Sequence, residues 1–193
     1  MRLGQSCIVK AALALFLCAG ATGGEAFAQA TGKTAPSLHE IHGSWQLACA
    51  AVAKKDGTDA APSTGEDAKP ACAIAQVQLE EKTRKLVVSV EFRLDNAATT
   101  DRLTGTMVLP FGLAVTKLFS VKSGNMRLQE VQVSTCLPVG CIVSFTPFIE
   151  LVSALKAEQT LTIEAPDLQG RIVSFQLQGK GFPEALKRLG EVR

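Results

Sequence analysis

Few side chains in this sequence are equipped for chemistry, and the cysteines stand first among them. Cys136 and Cys141 flank a Leu-Pro-Val-Gly run, while Cys49 and Cys72 bracket a polar stretch. Thiol oxidoreductases favour Cys-x-x-Cys at a helix start, where the helix dipole lowers a thiol pKa. The wider spacing here, with Pro138 and Gly140 in a turn between strand-like segments, has the form of a structural staple instead. His39 and His42 are the only histidines. A His-x-x-His pair can share one helix face, but a metal centre asks for three or four ligands. No cysteine or carboxylate cluster stands beside them, so neither metal nor cofactor is expected.

Acid–base chemistry has little more to draw on. Both histidines precede the first predicted strand, so a Ser-His-Asp or Cys-His arrangement would take its base from a loose leader. Tyrosine is absent. Glu91, Glu130, Glu150, Glu164 and Asp167 occur singly, at outward or turn positions. A carbohydrate-active hydrolase would need two of them in one cleft, and this is the alternative function that the residues leave open. Gly179-Lys180-Gly181 is too short to read as a phosphate-cradling loop. No catalytic residue is assigned.

The front of the chain sets the compartment in which the cysteines work. Residues 1–28 read as an export signal: Arg2 and Lys10 carry positive charge, Ala11 to Ala19 is apolar, and Ala26-Phe27-Ala28 gives a small-x-small cleavage site before Gln29. The apolar run is shorter than the roughly 20 residues that a membrane-crossing helix needs, so the mature chain is expected to carry no transmembrane segment. Acylation at Cys18 would ask for small residues before it, where Leu15, Phe16 and Leu17 stand. Cys7 and Cys18 leave with the signal. An even number of cysteines in an exported chain implies disulfides, and four allow three pairings. Proximity favours Cys49–Cys72 with Cys136–Cys141. The chain-entropy model gives the first loop roughly 3 kcal/mol and the short one about 2 kcal/mol. Longer crossed loops would gain more, so the turn geometry of the short loop is the better argument.

A formal net charge of +2, with 20 basic and 18 acidic residues and no basic cluster, gives no case for nucleic acid. Residues 29–42 carry no strong periodicity and read as a flexible leader, followed by one domain over residues 43–193. Trp45 to Ala53 alternates, with Trp45, Leu47 and Cys49 on one face, and the indole is expected to pack against a disulfide. Residues 54–70 hold no large apolar side chain and read as a disordered loop. Further strands are predicted over Ala71 to Leu79, Arg84 to Leu94, Leu103 to Leu109, Leu113 to Val121 and Met126 to Ser134. The last of these slips phase, which implies a bulge near Gln129-Glu130. Strands at Ile142 to Thr146, Gln159 to Ala165 and Arg171 to Gln178 follow. Thr146-Pro147 suggests an N-cap with Pro at the first helical position, opening a short helix over Phe148 to Ala157. A terminal helix is predicted over Phe182 to Val192. About nine closely spaced strands make an antiparallel sandwich or barrel.

Several landmarks together resemble the invasion-associated locus B family of exported proteobacterial proteins. Gly43-Ser44-Trp45-Gln46-Leu47-Ala48-Cys49 resembles its opening Trp-x-x-x-Cys segment, and Cys72-Ala73-Ile74-Ala75-Gln76 its second cysteine followed by Gln. Leu109-Pro110-Phe111-Gly112-Leu113 is similar to its Leu-Pro-x-Gly step, and Cys136 to Cys141 to its paired cysteines. Phe175 to Phe182, with Ala185-Leu186, is similar to its closing Gly-Phe helix start. The resemblance implies an all-β, immunoglobulin-like antiparallel sandwich with one short internal helix and a C-terminal helix. It implies no enzymatic activity and no cofactor. The expected function is that of a non-catalytic periplasmic, outer-envelope or secreted protein of a Gram-negative bacterium. It would bind a protein or envelope component, with a role in host-cell interaction suggested by the family's name.

Overall fold

Alternating apolar side chains wind the chain into two sheets, seen in a computed structural model that describes residues 38–50, 71–95 and 102–192. The predicted signal, residues 29–37 of the predicted leader and the predicted loop at 54–70 lie outside the described residues. The strands are β1 (Leu38–His42), β2 (Trp45–Ala50), β3 (Ala71–Leu79), β4 (Leu86–Asp95) and β5 (Arg102–Leu109). These five form a sequential antiparallel meander. The chain then crosses to a second sheet with β6 (Phe119–Ser123) and β7 (Met126–Val131). It returns with β8 (Thr135–Leu137) and β9 (Gly140–Phe145), and β9 pairs with β5. After α1 (Ile149–Lys156), strands β10 (Leu161–Pro166) and β11 (Ile172–Leu177) complete the second sheet, and α2 (Phe182–Val192) follows. The orders are β1-β2-β3-β4-β5-β9-β8 and β11-β10-β6-β7.

The expected all-β sandwich with a short internal helix and a C-terminal helix is what the chain forms. A single core cluster draws on both sheets and both helices, and α2 packs against β1 to β4. At its centre Trp45 lies 5.7 Å from Phe92 and 5.0 Å from Phe182, ring centre to ring centre, and all three are fully buried. Trp45 therefore packs on two phenylalanines, where the sequence suggested a disulfide. Its Nε1 donates to the Gln178 carbonyl at 2.9 Å.

Four other expectations need correction. The leader does not stay loose to His42, because Leu38–His42 pairs in full with β2. This strand escapes a hydrophobicity reading because its inward face carries a carboxylate: Glu40 receives Nε and Nη2 of Arg188 at 3.0 Å. The strand predicted over Leu113 to Val121 begins only at Phe119. Before it, Leu113 makes a single bridge to Asp167 and Ala114 to Lys117 forms a turn, as the chain changes sheets. The bulge expected near Gln129-Glu130 is present, with Leu128 as its extra residue, since Val121 pairs with Gln129 and Lys122 with Arg127. Helix α1 is capped by Phe148, not Thr146, and Pro147 stays outside it. The reason is buried Gln129, whose Oε1 accepts the Phe148 N–H at 3.0 Å while its Nε2 donates to the Thr146 carbonyl at 2.9 Å. Eleven strands stand among the described residues, where about nine were predicted.

Candidate functional site

The four cysteines pair as Cys49–Cys72 and Cys136–Cys141. Each bridge joins residues directly opposite one another on neighbouring antiparallel strands, β2 with β3 and β8 with β9. The second bridge clamps a hairpin whose turn is Pro138-Val139. It has no histidine or helix terminus to activate it, and both sulfurs are committed to the bond.

Four of the five candidate acids are ion-paired. Glu91 pairs with Arg93 at 2.5 Å, Glu130 with Arg127 at 2.7 Å and Glu164 with Lys122 at 2.6 Å. Glu150 sits in the first turn of α1. Asp167 builds the turn between β10 and β11: its Oδ1 accepts the N–H groups of Gln169 and Arg171 at 2.8 and 2.9 Å, and its Oδ2 accepts Arg171 Nε at 2.7 Å. Glu130 and Glu164 share the outer face of the second sheet, one on either side of Ser120, but each is paired with a base of its own. Of the histidines, His42 bonds to Glu40 at 3.1 Å, and no group of three metal-ligating side chains forms among the described residues. His42 borders a small pocket of about 220 Å³ with Glu158, Lys180 and Glu184. Glu158 is already engaged there, accepting the Gly181 N–H at 2.7 Å.

Burial works to raise the Asp167 pKa, but the backbone N–H and guanidinium of Arg171 and the backbone N–H of Gln169 outweigh it and hold the carboxyl below its ordinary value. The Arg188 hydrogen bonds likewise hold Glu40 low, against a smaller opposing effect of burial and with further help from His42. A depressed carboxyl stabilises the fold above the ordinary carboxylate range and loses that contribution as pH falls through its folded value. The thermal midpoint should therefore drop as pH is lowered below that range. Asp167→Asn should lower the midpoint at neutral pH and flatten the acid slope; calorimetry across the pH series reads both.

One polar lock joins the two sheets. Gln76, buried on β3, donates Nε2 to the Gln178 carbonyl at 3.0 Å and accepts the Gln178 N–H at 2.9 Å. Its amide thus pairs as a strand residue would with the chain just past β11. Gln78 adds a bond to the Gln176 carbonyl. Removing the amide while keeping the bulk strands a backbone N–H that folding has withdrawn from water. Gln76→Leu should cost about 2 kcal/mol, measurable by urea unfolding.

Large apolar side chains are exposed at several places, Met126, Phe148 and Ile149 at the opposite end among them, and the densest group gathers at one end of the sandwich. By register, β5, β8 and β10 end there and β6, β9 and β11 begin there. The connections at this end carry exposed Phe111, Leu118, Val139 and Leu168. They are tied together, with Ala114 N–H bonded to the Pro166 carbonyl at 2.8 Å and Leu168 N–H to the Gly112 carbonyl at 3.2 Å. Beside them, on the outer face of β6 and β10, an open groove of about 570 Å³ is lined by Lys117, Leu118, Lys122, Glu164, Pro166 and Ile172 among others. The sequence alone assigns these connections no binding role. The available signal was the presence of Phe, Val and Leu in connections where small or polar residues usually stand.

Residues 45–190 match the family described as Invasion associated locus B (IalB) protein. An invasion protein B homolog of Brucella abortus (strain 2308) is 30% identical over 165 residues, covering 85% of this chain and 86% of that protein. Invasion protein B of Bartonella bacilliformis is 28% identical over 160 residues, covering 80% of this chain and 76% of its own. In fold, the crystal structure of invasion associated protein b from Bartonella henselae matches with a TM-score of 0.64 at 24% identity, over 80% of this chain and 97% of that one.

Proposed function

The chain belongs to the invasion-associated locus B family, and from that premise we propose that it is an exported envelope protein that acts by binding a protein or envelope component. In this reading residues 1–28 are removed on export, the product resides in the periplasm or at the outer envelope, and the relatives' names point to a role at host contact. Two cross-strand disulfides support an oxidising compartment. Among the described residues no helix is long and apolar enough to cross a membrane. The observation that favours binding over catalysis is that four of the five candidate acids are ion-paired, while large apolar side chains stand exposed together at the loop end.

Fractionation of the native producing cell tests this reading. The expected product begins at Gln29, leaves the cytoplasm and yields both disulfide-linked peptides in a non-reducing map. A full-length cytoplasmic product with free thiols would overturn export. Cross-linking in intact cells, followed by isolation of the protein, should recover an envelope component. Cells lacking the gene should show a defect under envelope stress or host contact, and normal behaviour in all such assays would overturn the binding role.

A further inference from the structure

We propose that the loop end of the sandwich is a docking surface for an anionic lipid bilayer, which rests on the envelope-binding reading and names the component bound. Isolated exposed apolar side chains need no explanation, but a concentration of them does. Phe111, Leu118, Leu137, Val139, Leu168 and Ile172 are each 50–71% exposed, and all six lie at this end or on the strand starts beside it. They come from separate connections: Phe111, Val139 and Leu168 stand on connecting turns, while Leu118 and Ile172 border the open groove on β6 and β10. A protein partner would need a matching set of hollows, whereas the fluid interfacial region of a bilayer accepts tips of any outline.

Two further observations fit a bilayer. Lipid penalises unpaired backbone polar groups, and here the chain has tied its own loops: Ala114 donates its N–H to the Pro166 carbonyl at the end of β10, Leu168 to the Gly112 carbonyl of another connection, and Asp167 to the Arg171 carbonyl across its own turn. The Cys136–Cys141 bridge holds the Pro138-Val139 tip on its hairpin. Charge also matches. The turn between β3 and β4 reaches the same end, since Leu79 pairs with Leu86 and Ser89 with Val108. Lys82, Arg84, Lys85, Lys117 and Arg171 stand there against Glu80, Glu81 and the buried Asp167. The excess of bases favours anionic headgroups, with lysine and arginine stems lying along the apolar tips.

The test uses the processed protein purified from its native producer and vesicles of phosphatidylcholine with or without phosphatidylglycerol. The wild type should float with the phosphatidylglycerol vesicles and roughly tenfold less with phosphatidylcholine alone. Because Trp45 is fully buried, a Phe111→Trp variant gives a readable probe, and its added emission should shift to the blue on binding. The triple variant Phe111→Ser, Val139→Ser, Leu168→Ser should bind at least roughly tenfold more weakly while melting at the wild-type temperature, since all three side chains are exposed. Failure of the wild type to float with any vesicle would overturn the proposal, as would a triple variant that floats unchanged. Capture of a protein by a photo-cross-linker at Val139, without vesicle binding, would assign the surface to a protein partner instead. Either outcome leaves the export and envelope reading standing, because fractionation tests that independently.

Discussion

Gly181→Ala will abolish stable folding. A Cβ at this position would sit 2.2 Å from the His42 carbonyl oxygen and 2.5 Å from its carbon, and the residue holds φ at +83°. The opposing atoms are backbone, so no side chain can swing aside. The reciprocal contact is equally close: a Cβ on Gly43 would meet the Lys180 carbonyl oxygen at 2.5 Å. Between these glycines Ser44 N–H bonds to the Lys180 carbonyl at 3.0 Å, so separation of the two segments breaks the junction between the β1–β2 turn and the start of α2. The combined clash and backbone strain should cost at least about 4 kcal/mol, a large share of a typical domain's stability. Gly190→Ala is the matched control. It lies within α2 with open space around it, and should raise stability by about 0.5–1 kcal/mol through helix propensity. Urea unfolding of the two variants compares them directly; a folded Gly181→Ala protein of near wild-type stability would show that the junction is not tight.

Trp45→Ala should cost about 3–5 kcal/mol, the usual range for deleting a large buried aromatic. The indole completes a mutual three-ring cluster with Phe92 and Phe182, so its loss opens a hole between β2, β4 and α2. Trp45→Phe separates packing from polarity. It keeps a ring against both phenylalanines but loses the donor to the Gln178 carbonyl, which still receives the Gln76 amide. The milder variant should therefore lose about 1–2 kcal/mol. Denaturant melts of the pair give the ordering, and equal losses would mean that the hydrogen bond, not the ring packing, dominates at this position.

Patterns confined to a few consecutive residues were readable in the sequence. Leu86, Val88, Val90 and Phe92 alternate within one strand, and the terminal helix predicted over Phe182 to Val192 forms over those residues. The disulfides followed from proximity and turn geometry, and the sandwich from strand spacing. Features whose cause is a distant partner were not readable. β1 lacks a hydrophobic stripe because Glu40 is satisfied by Arg188, 148 residues later. Gln76 looks like any polar strand residue until Gln178, 102 residues away, is placed beside it. Gly179-Lys180-Gly181 was tested as a phosphate loop and set aside, while its real constraint is backbone crowding against Gln159 and His42. The apolar end was hidden for a related reason: turn grammar explains where the chain bends, not which side chains the bends gather.

The same separations impose an order in time on a chain made from its N-terminus. Trp45 is among the first residues of the fold to be synthesised, yet the carbonyl that receives its N–H arrives 133 residues later. Phe182, which covers one side of the indole, arrives later still. Until then the earliest strands wait with their largest aromatic uncovered, and only the final helix closes them. Premature termination anywhere before Phe182 thus leaves a product with its aromatic centre open, readily distinguished by proteases from the finished molecule.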